Sequence, residues 1–459
     1  MDSFCVKHGV KLPSLNDPFT QESEGPRMHP EVSQAVSHIV SAAAQLIAIV
    51  RPAPVTLMTT AIQVHVSSAL RVAVDSNVVE ILREAGSQGL HVRQISAKNG
   101  IDSGKLGRIL RLLASEHIFN EIAPDTFSNN RISSAIDTGK SFDGLVSQPD
   151  MKFIGTNGIA AGISRFTDES VKSSAYLYEA LTDPEFSKKA DPFHTAFNLA
   201  YKTNLPLFPW LGQAGNEQRL RRFGIAIDGG NKMLPPNGIL MGYPWSSLSL
   251  GSVIVDVGGG IGTESMKIAK EFPSLKLIVQ DTRDVVGNGI KYFETQFPEG
   301  MSSGRVTFQV HDFLQRQPVT NARVFFLRLI LHDWPDETCI RILKNLRDSA
   351  NPNTELIINE CIMDYACPVD RITVKDIPGA VGQTPPSPLL SNMGHARIFN
   401  YLIDLQMAIM LNGVERTIEQ YAELFQKSGW ELKQVFRMPE GHAMLHKIVG
   451  VPSIQSVIT

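Results

Sequence analysis

The run Arg328-Leu329-Ile330-Leu331-His332-Asp333-Trp334 holds the residue best suited to proton transfer. A neutral imidazole near physiological pH can take the proton of a phenol or enol hydroxyl. An isolated histidine is as readily structural, so its neighbours matter. Two acids could orient His332: Glu360, at the end of an apolar run, and Glu415, in Asn412-Gly413-Val414-Glu415-Arg416-Thr417. One carboxylate bonded to Nδ1 fixes the tautomer and supports the imidazolium that forms. Glu415 also reads as a first-turn acid of the helix that follows it. A second cluster is Asp256-Val257-Gly258-Gly259-Gly260-Ile261-Gly262. Glycines there let a ligand approach the backbone closely. From Gly258 the pattern is G-x-G-x-G, with Thr263 where a dinucleotide fingerprint has its last glycine. No pyrophosphate need be bound, and the turn suits a nucleoside with an amino-acid tail. Asp281 can accept both ribose hydroxyls, or it can cap a helix. Asp312-Phe313 joins an acid for an adenine amine to a ring for the adenine face.

These residues need a scaffold that brings them to one edge. Strands are expected over 252–257, 275–280, 305–310, 323–327 and 355–359, with helices over 263–270 and 337–347. This alternation implies a doubly wound parallel sheet with the Gly-rich turn and His332 at the same edge. Two further strands, 431–437 and 443–449, are separated only by Pro439-Glu440-Gly441 and form a hairpin. An α/β sheet closed by an antiparallel hairpin suits a class I methyltransferase better than a dehydrogenase.

Four zones precede or contain that scaffold: a polar tail over 1–29, a helical domain over 30–138, a helical bridge over 139–245 and a catalytic domain over 246–452. In the second zone apolar residues recur at helical spacing from Val36 to Ile47, Pro52 and Pro54 break the run, and a helix resumes at Thr56. Helices then follow over 77–85, 93–98 and from an N-cap at Ser103, before strands over 118–122 and 126–129. Helix, helix, hairpin is the order of a winged helix. The bridge carries Phe193, Phe197, Tyr201, Phe208 and Trp210, a stripe that is core or acceptor wall.

The chain has 459 residues, 43% of them hydrophobic, and 43 Lys+Arg against 46 Asp+Glu give a net charge of −3. That balance argues against a nucleic-acid binder relying on bulk charge. Cys5, Cys339, Cys361 and Cys367 form no C-x-x-C pair, so neither a zinc knuckle nor a disulfide framework is expected, and no metal cluster is read. No signal peptide or lipidation motif is read at either end. The apolar stretch 42–50 is too short to span a membrane, so a soluble, cytoplasmic protein is expected.

In this order, Val255-Asp256-Val257-Gly258-Gly259-Gly260-Ile261-Gly262, Leu331-His332-Asp333-Trp334 and Glu415-Arg416-Thr417 resemble the plant-type, caffeate-like S-adenosylmethionine-dependent O-methyltransferases. The resemblance runs from about Leu46 to Val449. It implies a class I Rossmann-like seven-stranded sheet behind an N-terminal winged-helix dimerisation domain, and an intertwined homodimer. By the family pattern, S-adenosyl-L-methionine lies against Gly258 and Gly260 as methyl donor, with no metal. Asp281 then holds the ribose, Asp312 and Phe313 the adenine, and Arg328 flanks the ring. His332 becomes the general base, supported by Glu360 and Glu415. Asp333 and Met407 contact a small phenolic or polyketide acceptor. The segment 364–397 departs from the plant pattern, being longer and carrying Pro368, Pro378, Pro385, Pro386 and Pro388. It looks more like the fungal branch. The alternative is another reaction on the same scaffold: decarboxylation, hydroxylation or pericyclic chemistry. A vestigial pocket on a DNA-binding winged helix is a third reading.

Overall fold

The computed structural model describes residues 2–369, 373–439 and 445–453. The chain divides into two compact units. The first comprises the residues up to Val36, Ala42–Lys189 and Phe193–Leu234, and the second Ser37–Ser41, Ala190–Pro192 and everything from Pro235 onward. The segment expected as a separate bridge is therefore shared between the units, with the division at Leu234.

In the first unit the two prolines begin a helix, a correction to the expected restart at Thr56. Pro52 is the N-cap of helix Ala53–Ile62 and Pro54 lies in its first turn. A proline there lacks only an N–H that would be unbonded anyway, so the helix starts before Thr56. Helices Val64–Asp75, Val78–Ala85, Val92–Asn99 and Ser103–Ser115 follow. The last is capped by Asp102, whose carboxylate accepts from the Lys105 N–H, not by Ser103. The stop at Gly100 is as expected: it is left-handed (φ 76°) and its N–H returns to Ser96. Strands β1 (Leu90–His91), β2 (Phe119–Ala123) and β3 (Thr126–Asn129) pair antiparallel in the order β1-β3-β2. Ile81, Ile95, Leu106, Leu110, Leu113 and Phe127 are fully buried and close this core.

Helix Pro30–Val50 is long and apolar enough to cross a membrane by length and composition, as is the stretch Ala53–Asp75. Residues 42–50 are only the second half of the first helix, so their shortness does not limit it. Ile39, Leu46, Ile47, Ile49 and Val50 are exposed, and no residue of Ala53–Ile62 is buried.

The second unit is built on β4 (Val253–Val257), β5 (Lys276–Asp281), β6 (Val306–Val310), β7 (Val324–Arg328), β8 (Glu355–Glu360), β9 (Trp430–Phe436) and β10 (His446–Pro452). Their order is β6-β5-β4-β7-β8-β10-β9. The first five are parallel, and β10 is antiparallel to β8 and β9. The antiparallel pair is as expected, with its second strand at His446–Pro452; Glu440, Gly441 and, from the expected strand, Ala443 and Met444 lie outside the described residues.

Alternation along the strands feeds two cores. Val255, Val257, Phe325, Leu327 and Ile358 face helices Asp336–Asp348 and Ile418–Ser428 through Leu343, Leu346, Leu424 and Phe425. Ile254, Val279, Phe326 and Ile357 face helix Thr263–Glu271 and Trp245. Every residue of β8 is buried, as a parallel strand covered on both faces requires. Each large side chain so buried contributes about 1.5–3 kcal/mol. The carboxyl ends of β4, β5, β7 and β8 therefore meet at one rigid edge, where ligands bind in open α/β sheets.

Candidate active site

At this edge β4 runs into the Gly-rich turn. Gly258, Gly260 and Gly262 have φ of 70°, 61° and 80°, a region that side chains disfavour by roughly 1–2 kcal/mol. A Cβ on Gly258 would also stand 2.5 Å from Ile330 Cδ1 and 3.7 Å from Phe313 Cε1. On Gly260 it would meet nothing within 4 Å, so this glycine faces open space. The Gly260 N–H donates to Asp281 Oδ2 at 2.9 Å, while Asp281 Oδ1 accepts from the Thr282 N–H at 2.7 Å. Asp281, at the end of β5, thus braces the turn across the sheet edge.

Around the turn the charges are buried. Burial pushes the Asp256 carboxyl up to about 6, against the Ser265 hydroxyl bond and the Arg328 charge that favour the anion. Arg328 is held below its usual range by burial, against the neighbouring Glu264 and Asp256 carboxylates. Phe313 stacks edge-on to Trp334 with ring centres 6.1 Å apart. The Asp312 carboxylate accepts from the Leu314 N–H at 2.9 Å. Open space at Gly260, a carboxylate at the rim and an aromatic ring beside Gly258 fit a nucleoside ligand.

After β7 the chain turns through Leu329 (φ 54°) into the short 3₁₀ turn Leu331–Asp333. Glu360, fully buried, organises this turn. Its Oε1 accepts from the N–H groups of Ile330 (2.9 Å), Leu331 (2.6 Å) and His332 (3.4 Å), and its Oε2 from Tyr421 Oη (2.7 Å). Glu360 therefore hydrogen-bonds the His332 turn through its backbone and not at the ring, because three amides already take its inner oxygen.

The ring belongs to Glu415. Its Oε1 lies 2.6 Å from His332 Nδ1, and Asp333 Oδ1 lies 3.5 Å from Nε2. Burial opposes a charge on the imidazole, yet Asp333, the Glu415 bond and Glu360 together push its pKa from 6.5 up to about 10. Glu415 is itself held by its N–H, which donates to Asp404 Oδ1 at 2.9 Å. Its Oε2 is buried without a hydrogen-bond partner among the described residues. Met407 is buried on helix Ile398–Leu411, and its carbonyl accepts from the Gly413 N–H at 3.2 Å. Among the described residues no group of three or more His, Cys, Asp or Glu is arranged to hold a metal.

The edge so assembled has two parts: a glycine cradle and an imidazole oriented by one carboxylate. Asp404 and Tyr421 had no part in the sequence reading. Their one signal is that they lie on the helices flanking Glu415.

Residues 233–375 match the O-methyltransferase domain, and residues 58–137 match the O-methyltransferase dimerisation domain. An O-methyltransferase of Armillaria gallica is 39% identical over 441 residues, 95% of this chain and 93% of the relative. The chain belongs to the O-methyltransferase family. A protein of Phanerochaete chrysosporium named 4-O-methyltransferase 1 is 36% identical over 99% of this chain and 96% of its own length. Among solved structures, a LepI variant with SAH and a substrate analogue has a TM-score of 0.69 at 19% identity, covering 92% of this chain and 96% of that one. OxaC with SAH and oxaline has a TM-score of 0.65 at 19% identity, covering 98% and 97%. These two share the fold. The resemblance read in the sequence is thereby established: this is an S-adenosylmethionine-dependent O-methyltransferase of the plant-type family, with fungal relatives and an N-terminal dimerisation domain.

Proposed function

We propose that this O-methyltransferase methylates a hydroxyl of a small phenolic or polyketide-type secondary metabolite, with His332 as general base. The 2.6 Å contact between Glu415 Oε1 and His332 Nδ1 carries the proposal. With Nδ1 committed to Glu415, Nε2 is the nitrogen left to exchange a proton with an acceptor. Glu415 stabilises the imidazolium formed as the hydroxyl proton arrives. Asp333, beside Nε2, holds the same charge from the other side and takes a hydrogen bond from the acceptor. Met407 supplies apolar contact to its ring. Most of the rate comes from holding the two reactants in line.

S-adenosylmethionine, when bound, supplies an electrophilic sulfonium methyl with a neutral thioether as leaving group. Gly258 and Gly260 let its amino-acid and ribose portions approach the backbone. Asp281 takes the ribose hydroxyls on lone pairs not used by Gly260 and Thr282. Asp312 and Phe313 hold the adenine, and Arg328 flanks it. Relatives named O-methyltransferase and 4-O-methyltransferase support oxygen as the acceptor atom. We read the dimerisation domain as a winged-helix unit that makes a homodimer, and the protein as cytoplasmic.

A neighbour described as a pericyclic reaction enzyme, with a TM-score of 0.67 at 19% identity, shows that this fold alone does not set the reaction. The test is transfer from methyl-labelled S-adenosylmethionine into phenols, hydroxylated aromatic acids and polyketide lactones, with wild type and His332→Ala. Transfer by wild type and a loss of about 10²–10⁴-fold in the variant support the base. A variant within about threefold of wild type removes His332 from that role. Cofactor binding without transfer to any acceptor favours the other chemistry.

A further inference from the structure

We propose that Arg416 is a positioning residue that sets the His332–Glu415 contact. Its guanidinium touches neither side chain. Nη1 donates to the carbonyls of Leu331 (2.9 Å) and Val414 (3.1 Å), and Nη2 to the carbonyl of Trp334 (2.8 Å). Nε and Nη2 both donate to Asp336 Oδ1, at 3.0 and 2.8 Å. Leu331 and Trp334 bracket His332 and Asp333, and Val414 precedes Glu415. One planar group thus bonds both turns that carry the pair.

Other contacts bring the turns to the same place. The Val414 N–H donates to the His332 carbonyl at 2.9 Å, and a Cβ on Gly413 would stand 2.1 Å from that oxygen. These contacts set the distance between the turns. Arg416 sets their register, because its donors leave one plane at fixed angles. The side chain is 1% exposed, and its charge is balanced by Asp336, which is 59% exposed. Removing the guanidinium takes a donor from the carbonyls of Leu331, Val414 and Trp334, of which that of Leu331 keeps the Trp334 N–H at 3.1 Å. A lysine offers a single nitrogen and cannot reach carbonyls on both turns together with Asp336.

The consequence falls on catalysis, because a misplacement of about 1 Å at a reacting group can cost about 10²-fold. The charged groups facing the imidazole are Asp333 on its own turn, Glu415 on the facing loop and Glu360 at the end of β8. If the turns slip, Glu415 alone moves away, and the ring loses its closest carboxylate.

This inference rests on His332 being the base, so the experiment reads the ring and the reaction separately. Arg416→Ala, Arg416→Lys and His332→Ala are made in the full chain. We measure kcat, KM for both substrates, and the titration of His332 by NMR with ¹⁵N-labelled histidine. Arg416→Ala is expected to lower kcat about 10²-fold with the S-adenosylmethionine KM within about threefold. The imidazole titration moves down by about one unit or more as Glu415 withdraws. Added guanidinium ion restores about fivefold in the alanine variant and none in the lysine variant. Unchanged kcat and titration overturn the proposal, as does a parallel loss of cofactor binding and kcat, which marks a merely structural role. Should Arg416→Ala fail to fold, Asp336→Ala removes the acceptor of Nε and Nη2, and an unmoved titration there overturns it equally. If His332→Ala keeps its activity, the base reading fails, while the ring titration in the arginine variants still decides the positioning.

Discussion

The two halves of the sheet edge are built differently. At the ends of β4 and β5 the shape is made by backbone: three left-handed glycines and one carboxylate that accepts from an amide. At the ends of β7 and β8 it is made by side chains: Glu360 under the turn, Glu415 on the imidazole, Arg416 across both loops. The first half leaves open space over Gly260. The second fills its space with polar atoms that are almost all bonded. A cradle must admit a ligand and needs room, whereas a base must be aimed and needs partners. Beyond the paired strands, the halves meet where Ile330 of the catalytic turn lies against Gly258 and where Trp334 meets Phe313.

That contrast is broken most severely at Gly413. A Cβ there would lie 2.1 Å from the His332 carbonyl, so the Glu415 loop must lift off the catalytic turn. Gly413→Ala is expected to lower kcat by about 10²-fold or more. S-adenosylmethionine affinity, measured by calorimetry, should hold within about threefold. Equal loss in both quantities would mean that the halves are not separable.

Gly258→Ala attacks one of the shared points. Its Cβ meets Ile330 at 2.5 Å on a backbone with φ of 70°. Both cofactor affinity and kcat should fall, each by about tenfold, from strain of roughly 1–2 kcal/mol at the glycine and displacement of the turn beyond it. Pairing it with Ile330→Val relieves the clash but not the strain. Recovery of kcat without recovery of affinity would show the two effects separately.

Much of this was legible in the sequence, and the exceptions have a common cause. Glycines after a strand and a histidine after another strand announce themselves because few other residue types serve there. The division of labour between Glu360 and Glu415 did not, since both are carboxylates near His332 in any sketch of the sheet. Only the path of the 3₁₀ turn shows that three amides take Glu360 while the ring takes Glu415. Asp281 bonds Gly260 because β5 lies in parallel register beside β4, a long-range fact. Arg416 stood in a quoted motif with no task, because backbone carbonyls have no sequence signature. Pro54 misled for the opposite reason: it breaks a helix interior but suits a first turn, and apolar spacing alone does not say which of the two it occupies.

The charge on the catalytic half can be sharpened by pH. The folded imidazole titrates near 10 against 6.5 for the ordinary group. The neighbouring carboxylates thus favour the charged imidazole, and the base form grows as pH rises. The acceptor kcat/KM is expected to climb with pH through an apparent pKa above 6.5, a limb that His332→Ala removes. Stability runs the other way. The pairing of charged His332 is fully present below 6.5 and is lost as pH rises toward 10. Denaturant midpoints of wild type minus those of His332→Ala should shrink over that window. A rate limb at or below 6.5 would place the carboxylates farther from the ring than the structure does.

The smallest effect is expected at Gly260, and it tests the cradle alone. The site has φ of 61°, yet a Cβ there meets nothing within 4 Å. Alanine in the left-handed region costs roughly 1 kcal/mol, so Gly260→Ala should unfold only slightly earlier than wild type. Its methyl group would occupy the space in which we place the ribose, and its N–H would still reach Asp281. The S-adenosylmethionine KM should therefore rise about three- to tenfold, with kcat at saturating cofactor within about twofold, because the added methyl group would meet no atom of the catalytic turn. Larger side chains enlarge the KM effect in proportion to their volume while kcat stays level. A fall in kcat with KM unchanged would place Gly260 on the catalytic side of the edge and erase the distinction between a half that needs room and a half that needs partners.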